Sequence, residues 1–160
     1  MQSIKSFIAR RRDSEEGFTL IELMVVVLII AILIAIAIPQ FLGARGRAQD
    51  SAAKSDLRNA LTAEKTFYTD TQAYSADVTA GGALDSIEPS LAWGTKPSVQ
   101  IAAVGAVAGN LVCLEETSKS GTVFALADVA VGASAGTYYN KGACGTPTVA
   151  SVSAWSSTGW

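Results

Sequence analysis

The stretch Gly17-Phe18-Thr19-Leu20-Ile21-Glu22, followed by an apolar run over residues 23–38, decides the fold of this chain. As a helix, residues 18–38 would measure about 31 Å, which is enough to cross the hydrocarbon core of a bilayer. A carboxylate costs on the order of 3 kcal/mol at mid-membrane and less near the edge, whereas each Leu, Ile or Val contributes about 0.3 to 0.6 kcal/mol to insertion. We therefore predict that the segment inserts. Glu22 would then either lie at headgroup depth or pair with a cation inside an apolar assembly.

A basic segment precedes this span. Residues 1–17 have no apolar core of their own, and nothing after Ile38 resembles the small-residue cleavage site of a secretory signal peptide, so we expect the span to remain in the mature protein. More cations precede the span than follow it, which favours a cytoplasmic N-terminus and an external C-terminal body. The cations before the span are Lys5, Arg10, Arg11 and Arg12, and those shortly after it are Arg45 and Arg47.

The composition argues against several classes of function. The chain is 49% hydrophobic and 16% charged, has a net charge of -2 and contains no histidine. Histidine is the commonest general base and metal ligand, and the sequence has neither a Cys-x-x-Cys pair nor a glycine-rich phosphate loop, so we expect no enzyme, no metal site and no cofactor. Direct nucleic-acid binding is not expected either. The cations of residues 71–160 are limited to Lys96, Lys119 and Lys141.

The helix is predicted to continue beyond the span to about Tyr68 or Asp70. Pro39 lacks an amide hydrogen, and Gly43 and Gly46 weaken the same stretch, so we predict a kink or a point of unwinding there. Further along, apolar residues recur every three or four positions, which is the pattern of an amphipathic helix. Charged residues between positions 45 and 70, Glu64 among them, are expected on its solvated faces. The stripe comprises Ala53, Leu57, Ala60, Leu61, Ala63, Glu64, Phe67 and Tyr68.

Short strands are predicted after a connecting loop. Three or four antiparallel strands would leave one apolar face, which the helical stripe is expected to cover. The predicted fold class is therefore α+β, with a long N-terminal membrane-spanning helix whose C-terminal half packs on a small antiparallel sheet of three to four strands. Strands are expected at residues 99–104, 111–115, 122–129 and 137–139, turns at 105–110 and 117–121, and a helical turn near 84–87.

Cys113 and Cys144 are the two cysteines of the chain. The predicted topology places both outside the cytoplasm, where oxidising conditions favour one disulfide over two free thiols. Closing a loop of about 30 residues would stabilise the fold by about 3 to 4 kcal/mol in the chain-entropy model. No element is predicted for the tail at residues 147–160. Residues 71–160 are here called the head. Its aromatic residues follow no spacing rule and are expected in the packing of the head or in subunit contacts rather than in a sugar-binding surface: Trp93, Tyr138, Tyr139, Trp155 and Trp160.

Residues 1–60 resemble the start of a type IV prepilin. A basic leader, a Gly17-Phe18 junction, an acid at Glu22 and Pro39 near the helix exit occur together, and this combination is highly specific. The resemblance implies that a prepilin peptidase and N-methyltransferase cuts after Gly17 and methylates the new amino terminus of Phe18. It also implies that Glu22 pairs with the Phe18 amine of a neighbouring subunit, and that the helix unwinds near Pro39 and Gly43 during assembly.

The same resemblance implies partners and a location. The chain would be a single-pass prepilin of the bacterial inner membrane with a cytoplasmic N-terminus, and later a helical homopolymer in an extracellular pilus used for adhesion, motility or related surface functions. Its partners would be itself, the prepilin peptidase, the inner-membrane assembly platform and the assembly ATPase. The Cys113–Cys144 disulfide would delimit a surface loop. The expected segments are 1–17 (removed leader), 18–40 (membrane and polymerisation), 41–70 (amphipathic helix), 71–97 (loop), 98–146 (sheet with disulfide loop) and 147–160 (tail).

Two alternatives remain open at this point. A pseudopilin of a type II secretion system has the same architecture, although the major pseudopilins usually bind calcium with clustered acids, and here Asp128 is the only acid after Glu116. A single-span membrane anchor for a binding domain that never polymerises would account for the span and the disulfide. It would explain neither the Gly17-Phe18 junction nor Glu22.

Overall fold

The structure is a computed structural model, and it describes residues 17–160 except 78, 80, 95–97 and 105–106. The predicted leader, residues 1–17, lies outside the described residues apart from Gly17. The chain consists of two compact units. The first ends at Gly43, and the second runs from Ala44 to Trp160. The first unit is helical in its described part, and the second contains the sheet.

Helix α1 (Leu20–Thr71) is the long helix that the sequence predicts. At its start, the Thr19 hydroxyl accepts a hydrogen bond from the Glu22 N–H at 3.2 Å, which satisfies one of the free donors of the first turn. At its end, Gln72 has a φ of 58° and donates its N–H to the Tyr68 carbonyl at 2.8 Å. This left-handed residue stops the helix in the way that glycine usually does. Within the described residues, α1 alone is long and apolar enough to cross a membrane by length and composition.

The sheet has four antiparallel strands in the order β1 (Ser98–Val104), β2 (Val107–Thr117), β3 (Val123–Val129) and β4 (Gly136–Asn140). Its register places Leu114 opposite Leu126, and Leu126 opposite Tyr139. A short helix, α2 (Ala83–Ile87), lies in the connecting loop where a helical turn was predicted. The α+β fold class and the small antiparallel sheet are confirmed.

Strand β2 begins earlier than the sequence predicts. Residues 107–110 belong to the strand, so the predicted turn at 105–110 is wrong for these four positions. Gly109 has a φ of 84°, and a Cβ on it would lie 2.9 Å from the Ala73 side chain. The glycine thus serves a close approach between the strand and the segment that follows α1, rather than a turn. The next turn falls close to its predicted place, closed by Gly121 N–H donating to the Ser118 carbonyl at 2.8 Å.

The core lies on both faces of the sheet. Because side chains alternate along a strand, Val112 and Leu114 of β2 face the α1 stripe, while Leu111 and Cys113 face a second, smaller cluster. The stripe prediction is confirmed for its apolar members, with Phe67 and Tyr68 only partly buried. Glu64, which was also expected on a solvated face, is fully buried, so that expectation is wrong. The buried stripe residues are Ala53, Leu57, Ala60, Leu61, Ala63 and Glu64.

The tail is ordered, although the sequence predicts no element there. Helix α3 (Val149–Val152) is capped reciprocally, since Thr148 and Ser151 each accept a hydrogen bond from the other's backbone N–H. Further on, Tyr139 and Ser156 form a β-bridge, with the Tyr139 N–H donating to the Ser156 carbonyl at 2.8 Å. This bridge ties the tail to β4.

Trp160 fastens the last part of the tail to the head. Its Nε1–H is shared between the carbonyls of Ala125, at 3.1 Å, and Asn140, at 2.9 Å. Two cations from α1 lie against its ring, Arg58 at 5.2 Å and Lys54 at 5.7 Å from the centroid. One aromatic side chain therefore connects β3, β4 and α1.

Candidate functional site

The start of α1 carries the residues for which cutting and assembly are predicted. Phe18 is 79% exposed and lies two residues before the helix, and Gly17 precedes it outside any helix or strand. Glu22 lies in the first helical turn, where the exposed N–H groups favour a negative charge. Thr19 and Glu22 also match the Ser/Thr-x-x-Glu pattern of a capping box, and the structure forms the Thr19 half of it. The Thr19 side chain therefore caps the helix through the Glu22 N–H, and the role of the Glu22 carboxylate between subunits stays a prediction.

The first unit presents an apolar surface on every side of the helix. Each large apolar side chain from Leu20 to Leu42 is at least 45% exposed. Consecutive residues such as Val25, Val26 and Val27 point in successive directions around the axis, so no polar face remains for water. A helix that is apolar all round is stable only within lipid or against other apolar surfaces. This unit therefore requires an apolar environment.

Helix α1 continues through Pro39 and Gly43. Proline removes one backbone hydrogen bond from a helix interior, so this stretch is weaker than the turns around it. Kinking or unwinding at these two residues stays a prediction, since it concerns a change during assembly.

A buried polar network connects α1 with the sheet in the second unit. Asp128 of β3 is only 4% exposed; it accepts hydrogen bonds from the Tyr74 hydroxyl and from Thr137 Oγ1, the latter at 2.5 Å. Its Oδ1 also pairs with the Lys65 ammonium at 2.9 Å. Burial, with Asp128 beside it, raises the pKa of Tyr74, which keeps the phenol protonated as a donor. Asp128, the last acidic residue of the sequence, therefore stabilises the packing of α1 and the segment after it against the sheet.

The disulfide prediction is confirmed. Cys113 of β2 is joined to Cys144, with a Cα–Cα distance of 6.1 Å across 31 residues of sequence. Cys113 is fully buried and Cys144 is 6% exposed. The Cys144 N–H also donates to Glu115 Oε2 at 2.8 Å, which fixes the segment after β4 against β2. The disulfide therefore covers the smaller core cluster.

The structure also contains a groove that the sequence did not predict. It has a volume of about 410 Å³ and lies between α1 and the end of β2 with its following turn. Its walls come from distant parts of the sequence, so no local sequence pattern predicts it. Among the described residues, no group of three or more His, Cys, Asp or Glu side chains could hold a metal ion. The groove is lined by Arg45, Ala48, Gln49, Ala52, Ala53, Glu116, Thr117, Ser118 and Lys119.

Comparison with known proteins places the similarity at the N-terminus. Residues 12–38 match the prokaryotic N-terminal methylation motif. The type IV major pilin protein PilA of Myxococcus xanthus is 47% identical over 68 residues, which cover 42% of this chain and 31% of that protein. The type IV wide pilus major component PilA4 of Thermus thermophilus is 42% identical over 62 residues, covering 39% of this chain and 47% of that protein.

A third relative belongs to a secretion system. The type II secretion system core protein G of Pseudomonas aeruginosa is 39% identical over 64 residues, covering 40% of this chain and 45% of that protein. The similarity thus spans between about a third and a half of the length of these curated relatives. No solved structure matches the chain.

The fold and the start of α1 define a class of α+β proteins in which a helix with an apolar first half continues onto a small antiparallel sheet. The methylation motif and these relatives show that the N-terminal part of the chain is similar to type IV pilins and to a pseudopilin-type secretion protein.

Proposed function

We propose that this chain is the structural subunit of an extracellular type IV pilus. A prepilin peptidase would cut after Gly17 and methylate Phe18, and residues 18–40 would hold the subunit in the inner membrane until the assembly platform and its ATPase add it to the filament. The observation that carries this proposal is the apolar surface around the first half of α1, interrupted by the single acid Glu22.

Packing of these helices against one another would remove that surface from lipid and from water. Burying the Glu22 carboxylate in such a bundle is costly unless a cation is hydrogen-bonded to it. Cutting after Gly17 converts the Phe18 amide into a cationic amine, which provides the partner. The uncut chain has no charge at that position, so the cut would control assembly.

The test of this proposal replaces Glu22 with Ala in the cell that makes the chain. Membrane insertion should be unchanged, since removing a carboxylate from the span favours insertion. The yield of sheared surface filaments should fall at least tenfold. Asp70→Ala, an exposed acid of the same helix, is the matched control and should leave the yield unchanged. Normal filaments from Glu22→Ala would show that the pairing with Phe18 is wrong.

Mass spectrometry of the N-terminal peptide tests the processing step. Fibres sheared from the surface should contain this chain as the dominant protein, beginning at N-methyl-Phe18. A chain found only in membranes, uncut and beginning at Met1, would contradict the proposal and favour the simple membrane anchor.

A pseudopilin of a type II secretion system is the second candidate, supported by the identity to core protein G over the N-terminal segment. The cut form would then be confined to the cell envelope, and deletion of the chain would abolish protein secretion without affecting surface fibres. The location of the cut form therefore separates the two candidates.

A further inference from the structure

Glu64 is a fully buried acid where α1 meets the segment that follows it. Its Oε2 accepts a hydrogen bond from the Ser75 N–H at 3.0 Å. Its Oε1 is also buried and has no hydrogen-bond partner within the part of the chain that the structure describes. One neutral N–H is a poor substitute for the water that an ionised carboxylate loses on burial. The site therefore fits a protonated Glu64 much better than an ionised one.

The segment that covers Glu64 is residues 72–77, here called the strap. It starts at Gln72, whose positive φ is a strained conformation for a residue with a side chain. Three hydrogen bonds join its middle to other elements: the Tyr74 N–H donates to the Gly109 carbonyl at 2.7 Å, the Tyr74 hydroxyl donates to Asp128, and the Ser75 N–H donates to Glu64. Tyr74 and Ser75 are buried, whereas residues 76 and 77 are exposed. Glu64 thus provides one of the three hydrogen bonds that hold the middle of the strap in place.

The charged and titratable groups around Glu64 do not favour its ionisation. Tyr74 of the strap interacts electrostatically with Glu64, with Tyr68 of α1 and with Asp128 of β3. The cation of this region, Lys65, pairs with Asp128 and donates to Thr137. An ionised Glu64 would therefore add a second buried negative charge near Tyr74, which already faces Asp128. Desolvation by burial raises the pKa of Glu64 to about 7, and the Ser75 N–H lowers it only in part.

We propose that the strap opens and closes in a proton-dependent way. It is closed over α1 while Glu64 is protonated, and it is released when Glu64 ionises and becomes hydrated. The device lies wholly within the second unit and does not depend on polymerisation. On a head that faces the outside of a cell, it would respond to the external pH.

Hydrogen–deuterium exchange of the full chain in detergent micelles at pH 5 and pH 8 tests this device, with rates corrected for the intrinsic effect of pH. A carboxyl with a pKa of about 7 in the closed state and 4.5 in the open state predicts that the opening equilibrium of the strap rises on the order of fifty-fold between these pH values. The amides of Tyr74 and Ser75 should show this loss of protection. Amides in the middle of β3 should remain much better protected than those of the strap at both pH values.

Three variants sharpen the experiment. Glu64→Gln keeps the acceptor for Ser75 and cannot ionise, so its strap should show no change in protection between pH 5 and pH 8. Asp70→Asn, on the exposed side of the same helix, should behave like the unaltered chain. Gly109→Ala, whose Cβ would press on Ala73, should loosen the strap equally at both pH values.

Carboxyl-carbon NMR of the unaltered chain follows Glu64 directly and does not depend on how well any variant folds. A titration midpoint near 7 that coincides with the loss of strap protection supports the device. A midpoint near 4.5, or strap protection that is the same at pH 5 and pH 8, would overturn it. An unchanged pH response in Glu64→Gln would overturn it as well.

Discussion

The hydroxyl of Tyr74 donates a hydrogen bond to Oδ2 of Asp128, a residue 54 positions further along the chain. The contact joins the strap to β3. Both residues are nearly inaccessible, with exposed fractions of 6% and 4%. A phenol that donates to a buried carboxylate is among the stronger hydrogen bonds that a neutral side chain can make.

Tyr74→Phe should lower the free energy of unfolding by about 1.5 to 3 kcal/mol, because it removes a hydrogen bond to a charged group and leaves the aromatic ring in place. Chemical denaturation of the full chain in detergent, followed by tryptophan fluorescence, measures the change. Tyr138→Phe is the matched control, since its hydroxyl donates to a neutral carbonyl, that of Ser134, at 2.9 Å and from a partly exposed position. The control should cost about 1 kcal/mol or less. Equal effects would show that the charge of Asp128 adds nothing.

Loss of the Cys113–Cys144 disulfide should destabilise the head by about 3 to 4 kcal/mol, because the reduced unfolded chain recovers the freedom of a 31-residue loop. The double substitution of both cysteines by Ala, compared with the unaltered chain by the same denaturation, gives the value. Reducing agent should shift the unaltered chain towards the variant and leave the variant itself where it is. A double variant as stable as the unaltered chain would contradict the expected role of the disulfide.

Trp160→Phe should cost about 1 to 2 kcal/mol, because the Nε1–H contacts with the Ala125 and Asn140 carbonyls are lost while a ring remains. Trp160→Ala also loses the packing on Phe124 and Tyr139 and should cost about 3 kcal/mol. Thr158→Ala, an exposed change in the same tail, should stay within about 0.5 kcal/mol. If Trp160→Ala behaved like Thr158→Ala, the tail would not contribute to the stability of the head.

The stability of the head should fall as the pH rises from 4.5 to about 7. Burial raises the pKa of Glu64 from 4.5 to about 7, so the folded state holds a proton in this range that the unfolded state has lost. The contribution is complete below pH 4.5, decreases through this range by about 3 kcal/mol in all, and is constant above it. Denaturation at pH 5 and pH 8 should reveal this loss in the unaltered chain and not in Glu64→Gln.

Asp77 should act in the opposite direction at lower pH. Hydrogen bonds from the Thr79 hydroxyl and N–H, and from the Ala83 N–H, lower its pKa below 3.8. Its contribution is therefore present above pH 3.8 and is lost as the pH falls through the lowered pKa. Asp77→Asn should flatten the acid side of the stability profile. A profile identical to that of the unaltered chain would show that these hydrogen bonds do not stabilise the carboxylate.

Much of the second unit could be predicted because the buried residues of α1 recur every three or four positions, which is the period of a helix. Leu57 and Leu61 lie one helical turn apart, and both are buried against the sheet. The same period could not show that Glu64 is buried, because a charged residue at the border of a stripe usually points to water. The Ser75 N–H of the strap, which follows the end of the helix, contacts the Glu64 carboxyl, and no helical period encodes that contact.

Other features depend on contacts between distant residues. The order of the tail rests on Trp160 reaching the carbonyls of two strands, which no local pattern encodes. Gly109 and Asn110 have the composition of a turn, yet both lie in β2, where the lack of a side chain on Gly109 allows the close approach of Ala73. The pairing of Glu22 with Phe18 stays a prediction, because it requires a cut chain and a second copy.

The disulfide also sets how far the head can be stretched. A chain pulled from residues on either side of Cys113 and Cys144 cannot extend the 31-residue span between them, which amounts to about 100 Å of contour. Strands β3 and β4 lie inside that covalent ring, so tension applied outside it bypasses both. A head under mechanical load would lengthen only through its remaining segments and would keep two of its four strands inside the closed loop.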